Sequence, residues 1–303
     1  RCHNIIPELP AFTVHSWMSA LQTERLERKT DDIMLLVKQL CGDWEAVCFR
    51  TLARNYGFGV NSDAFEEWAK HIPLRAVDHH RDDLFQVEAI FMGQAGLLQA
   101  DALPKQHHEK AIADAYFQRL QSEYKYLAHK FSLTPIDAQQ WRFLRLRPQN
   151  FPYIRIAQLA QLYYNRRSGL AELIDCTTIK EVTELLQTHV TPYWETHYTF
   201  GKVSKKVRKP LSDSFIALIW VNVLIPLKYL YYKMQGRDVS EELMEVMKLL
   251  PADNNGVIDA FKNLGAEVKC AFDSQVLLHQ YKYYCQRKHC LDCAVGVALL
   301  GKS

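Results

Sequence analysis

VHSWMSALQTERLERKTDDIMLLVKQL, residues 14 to 40, decides the class of the fold. Apolar Val14, Trp17, Met18, Leu21, Leu26, Ile33, Leu36, Val37 and Leu40 recur mainly at steps of three and four. That spacing lines one face of a helix, whereas a strand would place its apolar residues at alternate positions. Glu24, Arg25, Glu27, Arg28 and Lys29 interleave opposite signs, the pattern of an outer face laced by ion pairs. The stretch predicts one long amphipathic helix.

The same period runs outward along the chain. DWEAVCFRTLARNYGFG opens on Asp43, a good helix cap, and closes on Gly57 and Gly59, which suit a helix stop. Further helices are expected at 62–70, 82–98, 108–131, 153–164, 178–188, 212–234, 240–249, 255–264, 273–285 and 291–300. Ser62, Ser212 and Ser240 each precede an acidic residue within three positions, the chemistry of helix starts. No run offers several alternating strands joined by hairpin turns. The expected class is all-α, a multi-helix globular array without an extensive sheet. The polar connector GKVSKKVRKPLSD, residues 201 to 213, reads as a hinge between an N-terminal subdomain, 1–200, and a C-terminal one, 201–303. No repeat at solenoid period is evident.

With 303 residues, 48% hydrophobic and 23% charged, the chain can bury a large core and is not a disordered segment. Its net charge of +3 permits a polyanion as partner without arguing for one, so a nucleic-acid role must rest on local clusters. Eight cysteines in this length are too few for a disulfide scaffold, and the first residues lack a charged and then apolar leader pattern. The expectation is a cytoplasmic protein with reduced thiols. The chain begins at Arg1 without a methionine, as a piece of a longer protein would. FIALIWVNVLIPL, residues 215 to 227, falls short of the roughly 20 apolar residues that cross a bilayer and reads as a core helix.

YYCQRKHCLDCAVG, residues 283 to 296, concentrates Cys285, Cys290 and Cys293 in a C-x4-C-x2-C arrangement. The short gap lets two thiolates of one turn face the same ion, and the longer gap brings a third from the preceding helix. Arg287, Lys288 and His289 between them favour thiolate. Zinc and an iron-sulfur cluster both accept such ligands and both want a fourth, for which Cys2, Cys270, His279 and His289 are candidates. The alternatives are unliganded buried thiols or a catalytic cysteine beside a histidine. Cys41, Cys48 and Cys176 sit in apolar helical contexts and read as small core residues.

Phosphate-binding chemistry has two candidate stretches. Lys202, Lys205, Lys206, Arg208 and Lys209 are dense and unpaired in sequence. WRFLRLRPQNFPYIRIAQLAQL, residues 141 to 162, supplies Arg145 and Arg147, with Arg142 and Arg155, among Trp141, Phe143, Phe151 and Tyr153, and such arginines with aromatic rings grip phosphates and stack bases. The same residues also serve to lock a loop between helices. His79, His80 and Asp82 offer acid/base or metal chemistry, with helix capping by Asp82 or Asp83 as the simpler use. Glu88 and Gln94 are expected to partner buried arginines. No phosphate-binding G-x-x-x-x-G-K-[ST] loop, dinucleotide fingerprint, H-E-x-x-H or G-x-S-x-G is present.

Several stretches taken together, ERLERK at 24–29, DWE at 43–45, LARNYGFGVN at 52–61, HRDDLFQVEAIFMGQAGLL at 80–98, LRLRPQNFPYIRIAQLA at 144–160, DSQ at 273–275 and YCQRKHCLDCAVG at 284–296, resemble the bacterial family known as domain of unknown function 2851. The resemblance implies a region similar to PD-(D/E)XK nucleases ahead of this segment, with no catalytic residue of that region on this chain. It also implies Cys2 as the partner of Cys285, Cys290 and Cys293, a four-cysteine zinc or iron-sulfur staple tying the first residues to the last. The function this suggests is a helical module that positions a nuclease-like domain of the same protein, contacts DNA or RNA, or both. The alternatives are a structural or partner-binding helical domain without a nucleic-acid role, and an enzyme built on His79, His80 and Asp82. No membrane partner is expected.

Overall fold

In a computed structural model, which describes residues 6–57, 59–103, 105–166 and 169–300, the chain is all-α. Among the described residues there is no sheet, only two isolated antiparallel bridges, His197 with Val203 and Pro251 with Cys270. The α-helices are, in chain order, α1 Ala11–Gln39, α2 Trp44–Tyr56, α3 Ser62–His71, α4 Leu74–Asp78, α5 Leu84–Gln94, α6 His108–Ile112, α7 Ala115–Phe131, α8 Pro152–Asn165, α9 Glu172–Asp175, α10 Ile179–Leu186, α11 Pro192–Thr196, α12 Asp213–Ile219, α13 Ile225–Met234, α14 Ser240–Leu249, α15 Gly256–Asn263, α16 Ala271–Gln280 and α17 Ala294–Leu300. Wider π-helical turns join α12 to α13 over Trp220–Leu224 and extend α16 over Tyr281–Cys285.

Short polar side chains set most of these starts. Asp43 accepts from the Ala46 amide at 3.0 Å and Asp83 from the Phe85 amide at 2.9 Å. Asp114 accepts from the Tyr116 and Phe117 amides at 2.8 and 3.1 Å, so the helix expected over 108–131 is two helices, α6 and α7. Thr178 and Glu181 close a capping box on α10. Two of the three serine starts differ from expectation: Asn61 occupies the cap of α3, and Val239 that of α14. Ser212 does accept from the Phe215 amide, at 3.3 Å.

The chain folds into two compact units, one of Arg1–Leu36 with Trp220–Ser303 and the other of Val37–Ile219. The connector 201–213 therefore lies within the second unit. In that unit α5 packs against both α7 and α8, and α2 against α3. Val87 through Gln94 are all buried, as expected of a helix that is apolar on every side. Phe49, Trp68 and Phe91 meet with ring centroids 5.2 to 5.8 Å apart, and the Trp68 indole donates to the Phe91 carbonyl at 3.0 Å. Cys48 and Cys176 are buried there, but Cys41 is exposed. It follows the end of α1 with φ of 52°, in a helix-terminating turn closed by the Gly42 amide on the Val37 carbonyl at 2.9 Å.

In the first unit α16 packs against α14 and α15. Arg25, expected on the solvated face of α1, is 3% exposed. Residues Asp213–Met234 form a helical stretch long and apolar enough to cross a membrane, yet 72% of its apolar 18-residue window is buried inside the protein, as in a core helix.

Candidate functional site

The basic stretch after α11 runs extended beside the chain that precedes it. The Ser204 amide donates to the Thr196 carbonyl at 2.7 Å and the Val207 amide to the Glu195 carbonyl at 2.9 Å. This pinning separates its cations. Lys202, Lys205 and Arg208 are exposed, whereas Lys206 pairs with Glu195 at 3.2 Å. Lys209 departs from the expectation of a solvent-facing phosphate ligand. It is 4% exposed, its ammonium donates to the carbonyls of Trp194 and His197, and burial lowers its pKa to about 8. The ammonium spends two of its three donors on interior carbonyls and lies over the Tyr198 ring at 4.1 Å, so it serves as an interior cation and not a solvent-facing one.

Arg145 and Arg147 are also exposed. Arg145 takes a left-handed backbone with φ of 64°, and Leu144 beside it is 84% exposed. Arg155 is buried and structural: it donates to Asn150 at 2.7 Å and Gln158 at 2.9 Å and covers the Phe215 ring at 4.3 Å. The two basic loops share an anchor on α8. Tyr153 packs on Phe143 of the first loop at 5.5 Å and on Phe200, at the root of the second, at 5.3 Å. Gln158, one turn further along, donates to the Lys209 carbonyl at 2.8 Å. Arg145 and Arg147 on one side, and Lys202, Lys205 and Arg208 on the other, thus extend from roots held by one aromatic residue.

The cysteine segment is only partly gathered. The Gln280 amide nitrogen lies 3.2 Å from Cys293 Sγ and 3.8 Å from Cys285 Sγ, and its oxygen accepts from the Trp17 indole at 3.3 Å. Both thiols line an apolar cavity of about 280 Å³ with Phe261, Leu264 and Val295. Cys290 is exposed, although its backbone packs so closely on α17 that a Cβ on Gly296 would collide with the Cys290 carbonyl oxygen. Cys2 lies outside the described residues. The other proposed fourth ligands are engaged elsewhere: Cys270 with Asp273 at 3.3 Å, His279 with Glu24 at 3.2 Å, and His289 with Asp292 at 4.0 Å. Among the described residues no three of His, Cys, Asp or Glu stand close enough to hold a metal, so the chain as described does not assemble a complete ligand set.

The side-chain partners of His80 are not His79 or Asp82. His80 sits between Gln86 at 2.5 Å and Lys130 at 3.3 Å, while His79 and Asp82 are exposed on the turn beside it. Arg81 is the structural member, bonded to the Tyr163 and Arg166 carbonyls and stacked on the Tyr163 ring at 4.3 Å.

Two polar clusters escape the sequence pattern. Glu88 does not meet an arginine; it accepts from the Trp194 indole at 2.5 Å, Tyr116 at 2.8 Å and Thr191 at 3.4 Å. Burial raises its pKa to about 7 against the opposing pull of those donors. Glu24 accepts from Tyr284 at 2.6 Å and Arg28 at 3.0 Å, with His279 at 3.2 Å; these partners hold its carboxyl below the usual range, outweighing partial burial. Glu24 lies on a cleft of about 440 Å³ with Trp17, Gln280 and Asp292. Tyr284 and His279 stand about 260 residues away in sequence, and no local signal reports their meeting with Glu24.

No curated protein and no solved structure matches the chain. The family described as protein of unknown function (DUF2851) matches residues 1–256, a span that takes in both basic loops and stops short of Cys285, Cys290 and Cys293. On that match, which covers most of its length, the chain belongs to the DUF2851 family.

Proposed function

We propose that this chain is a helical module that contacts nucleic acid through the exposed cations of the two loops rooted on Tyr153. The supporting observation is the packing of Phe143 and Phe200 on that one ring, from which the loops that carry Arg145 and Arg147, and Lys202, Lys205 and Arg208, set out. Five cations on adjoining loops suit a polyanion, because each phosphate neutralised releases counterions and the gains accumulate. Exposed Leu144 and Val203 add apolar contact for bases or sugars. In the same reading, the module serves a nuclease-like region of the same protein.

The four-cysteine zinc or iron-sulfur staple is retained as the second part of the proposal, on the convergence of Cys285 and Cys293 upon Gln280. Cys290 and Cys2 would complete it, and the bound group would add folding free energy to the segment.

The test is fluorescence anisotropy with labelled DNA and RNA oligonucleotides across a salt series. Binding is expected to weaken with salt, and Lys205→Gln with Arg208→Gln should reduce the log–log slope by about 0.9 for each duplex phosphate that is no longer neutralised. A lack of binding at low salt, or an unchanged slope in the double variant, would favour the structural or partner-binding alternative.

A further inference from the structure

The first unit carries a second concentration of positive charge that the two loops do not include. Three cations surround the ring of Tyr283: the Arg28 guanidinium at 3.7 Å, Arg287 at 5.1 Å and the Lys282 ammonium at 5.3 Å from its centroid. Lys29, the neighbour of Arg28 on α1, donates to the Asn222 side chain at 2.9 Å. Arg25 lies one turn before Lys29, fully buried, donating to the Val221 carbonyl at 3.2 Å and to Gln275 at 2.7 Å.

We infer that Arg28, Lys282 and Arg287, gathered around Tyr283, form with Lys29, the neighbour of Arg28 on α1, a binding site for a phosphate group. The first argument is unmet hydrogen bonding: Arg25 NH1 and Arg28 Nε are buried N–H groups without an acceptor, and buried donors are nearly always paired in folded proteins. The second is charge. The acidic groups nearby are Glu24, which Arg28, His279 and Tyr284 already share, Asp253, which Gln275 and Ser274 hold, and Asp32. Lys29 accordingly has its pKa lowered to about 7, chiefly by burial, with repulsion from Arg25 and Lys282 adding to it and Asp32 only partly opposing it. Positive charge on adjacent side chains in a partly dry setting is stabilised by an anion held between them.

The donor set favours phosphate over a carboxylate. A guanidinium presents planar paired N–H groups, and two ammonium groups add point charges from other directions, which suits a tetrahedral dianion with several acceptor oxygens. Two sources share this chemistry, the backbone of a nucleic acid and a small phosphate compound. The site stands on residues of the first unit alone, so it does not depend on the loop reading above.

The experiment labels the intact chain with a limiting acetylating reagent at pH 7 and measures modification of Lys29 by mass spectrometry. Lys180, 86% exposed on the other unit, serves as the internal reference. An anion seated on Lys29 favours its ammonium form and shields it, and the first unit of pKa recovered from about 7 lowers the reactive amine at pH 7 about fivefold. Inorganic phosphate should therefore cut the Lys29 to Lys180 ratio about fivefold or more relative to chloride at equal ionic strength, and Lys282→Gln or Arg287→Gln should abolish most of that protection. Protection by an oligonucleotide but not by free phosphate assigns the site to a polymer backbone; protection by phosphate alone assigns it to a small compound. Equal labelling in phosphate, oligonucleotide and chloride, or protection unchanged in both variants, overturns the inference. Lys205→Gln with Arg208→Gln should leave phosphate protection intact, which separates this site from the loops.

Discussion

The indole nitrogen of Trp194 donates to the carboxyl of Glu88 across 2.5 Å and 106 residues of sequence. The bond ties α11 to α5, in which Val87 through Gln94 are all buried, and it places an ionisable group where water does not reach. Because burial raises the Glu88 pKa from 4.5 to about 7, the unfolded chain releases this proton at a lower pH than the folded one. Between about pH 4.5 and 7 the folded state holds more protons, so stability falls as pH rises, by about 3 kcal/mol over the window. Glu88→Gln should flatten that slope and leave the protein at least as stable as the parent at pH 8. Urea unfolding at pH 5 and pH 8 checks it; a parental slope in the variant would show that other groups carry the effect.

Lys209 and Lys205 stand four residues apart and should respond oppositely to mutation. Lys209→Met removes the donor to the Trp194 and His197 carbonyls and is expected to cost about 1–3 kcal/mol of stability. Lys205→Gln, on an exposed side chain, should change stability by less than about 0.5 kcal/mol while weakening oligonucleotide binding. Denaturant midpoints and anisotropy on the two variants separate these effects.

Arg25 and Arg28 form a second contrasting pair. Arg25→Met strands the Gln275 oxygen and the Val221 carbonyl, both in the interior, and should destabilise by about 2–4 kcal/mol. Arg28 pairs with Glu24 at a half-exposed position, so Arg28→Met should cost about 1 kcal/mol or less. Comparable losses in thermal or urea unfolding would contradict the assignment of Arg25 as the interior member.

The staple makes its own demand. Protein purified without oxygen should carry about one zinc per chain, or iron with broad visible absorption, and both Cys290→Ser and Cys293→Ser should lose it. Metal-free parent protein with reactive thiols would reduce Cys285 and Cys293 to the lining of an apolar cavity. Retention of metal by Cys290→Ser alone would leave that exposed cysteine out of the ligand set.

Much of the architecture is legible in the primary structure because helix formation is governed by local terms. The three- and four-residue spacing in 14–40 is realised as α1, Asp43 caps α2, and the Ser240 segment occupies 240–249 as expected. The division of 108–131 was readable in principle, since Asp114 is a capping residue, but the flanking apolar residues keep helical period across it. Composition likewise marked Lys202, Lys205, Arg208, Arg145 and Arg147 as cations on connectors.

What the sequence by itself determined is therefore the class of the fold, most helix positions and the set of cationic side chains on the connectors. What only the tertiary structure decided is which of those side chains are available. Lys209 and Arg155 read like their neighbours, yet one caps carbonyls in the interior and the other braces Asn150 and Gln158. The joining of two basic loops on Tyr153, and of α1 with the C-terminal segment around Tyr283, depends on contacts over tens to hundreds of residues. Helical period specifies which face is buried but not against what, and burial, not composition, sets whether a charge meets solvent or a carbonyl.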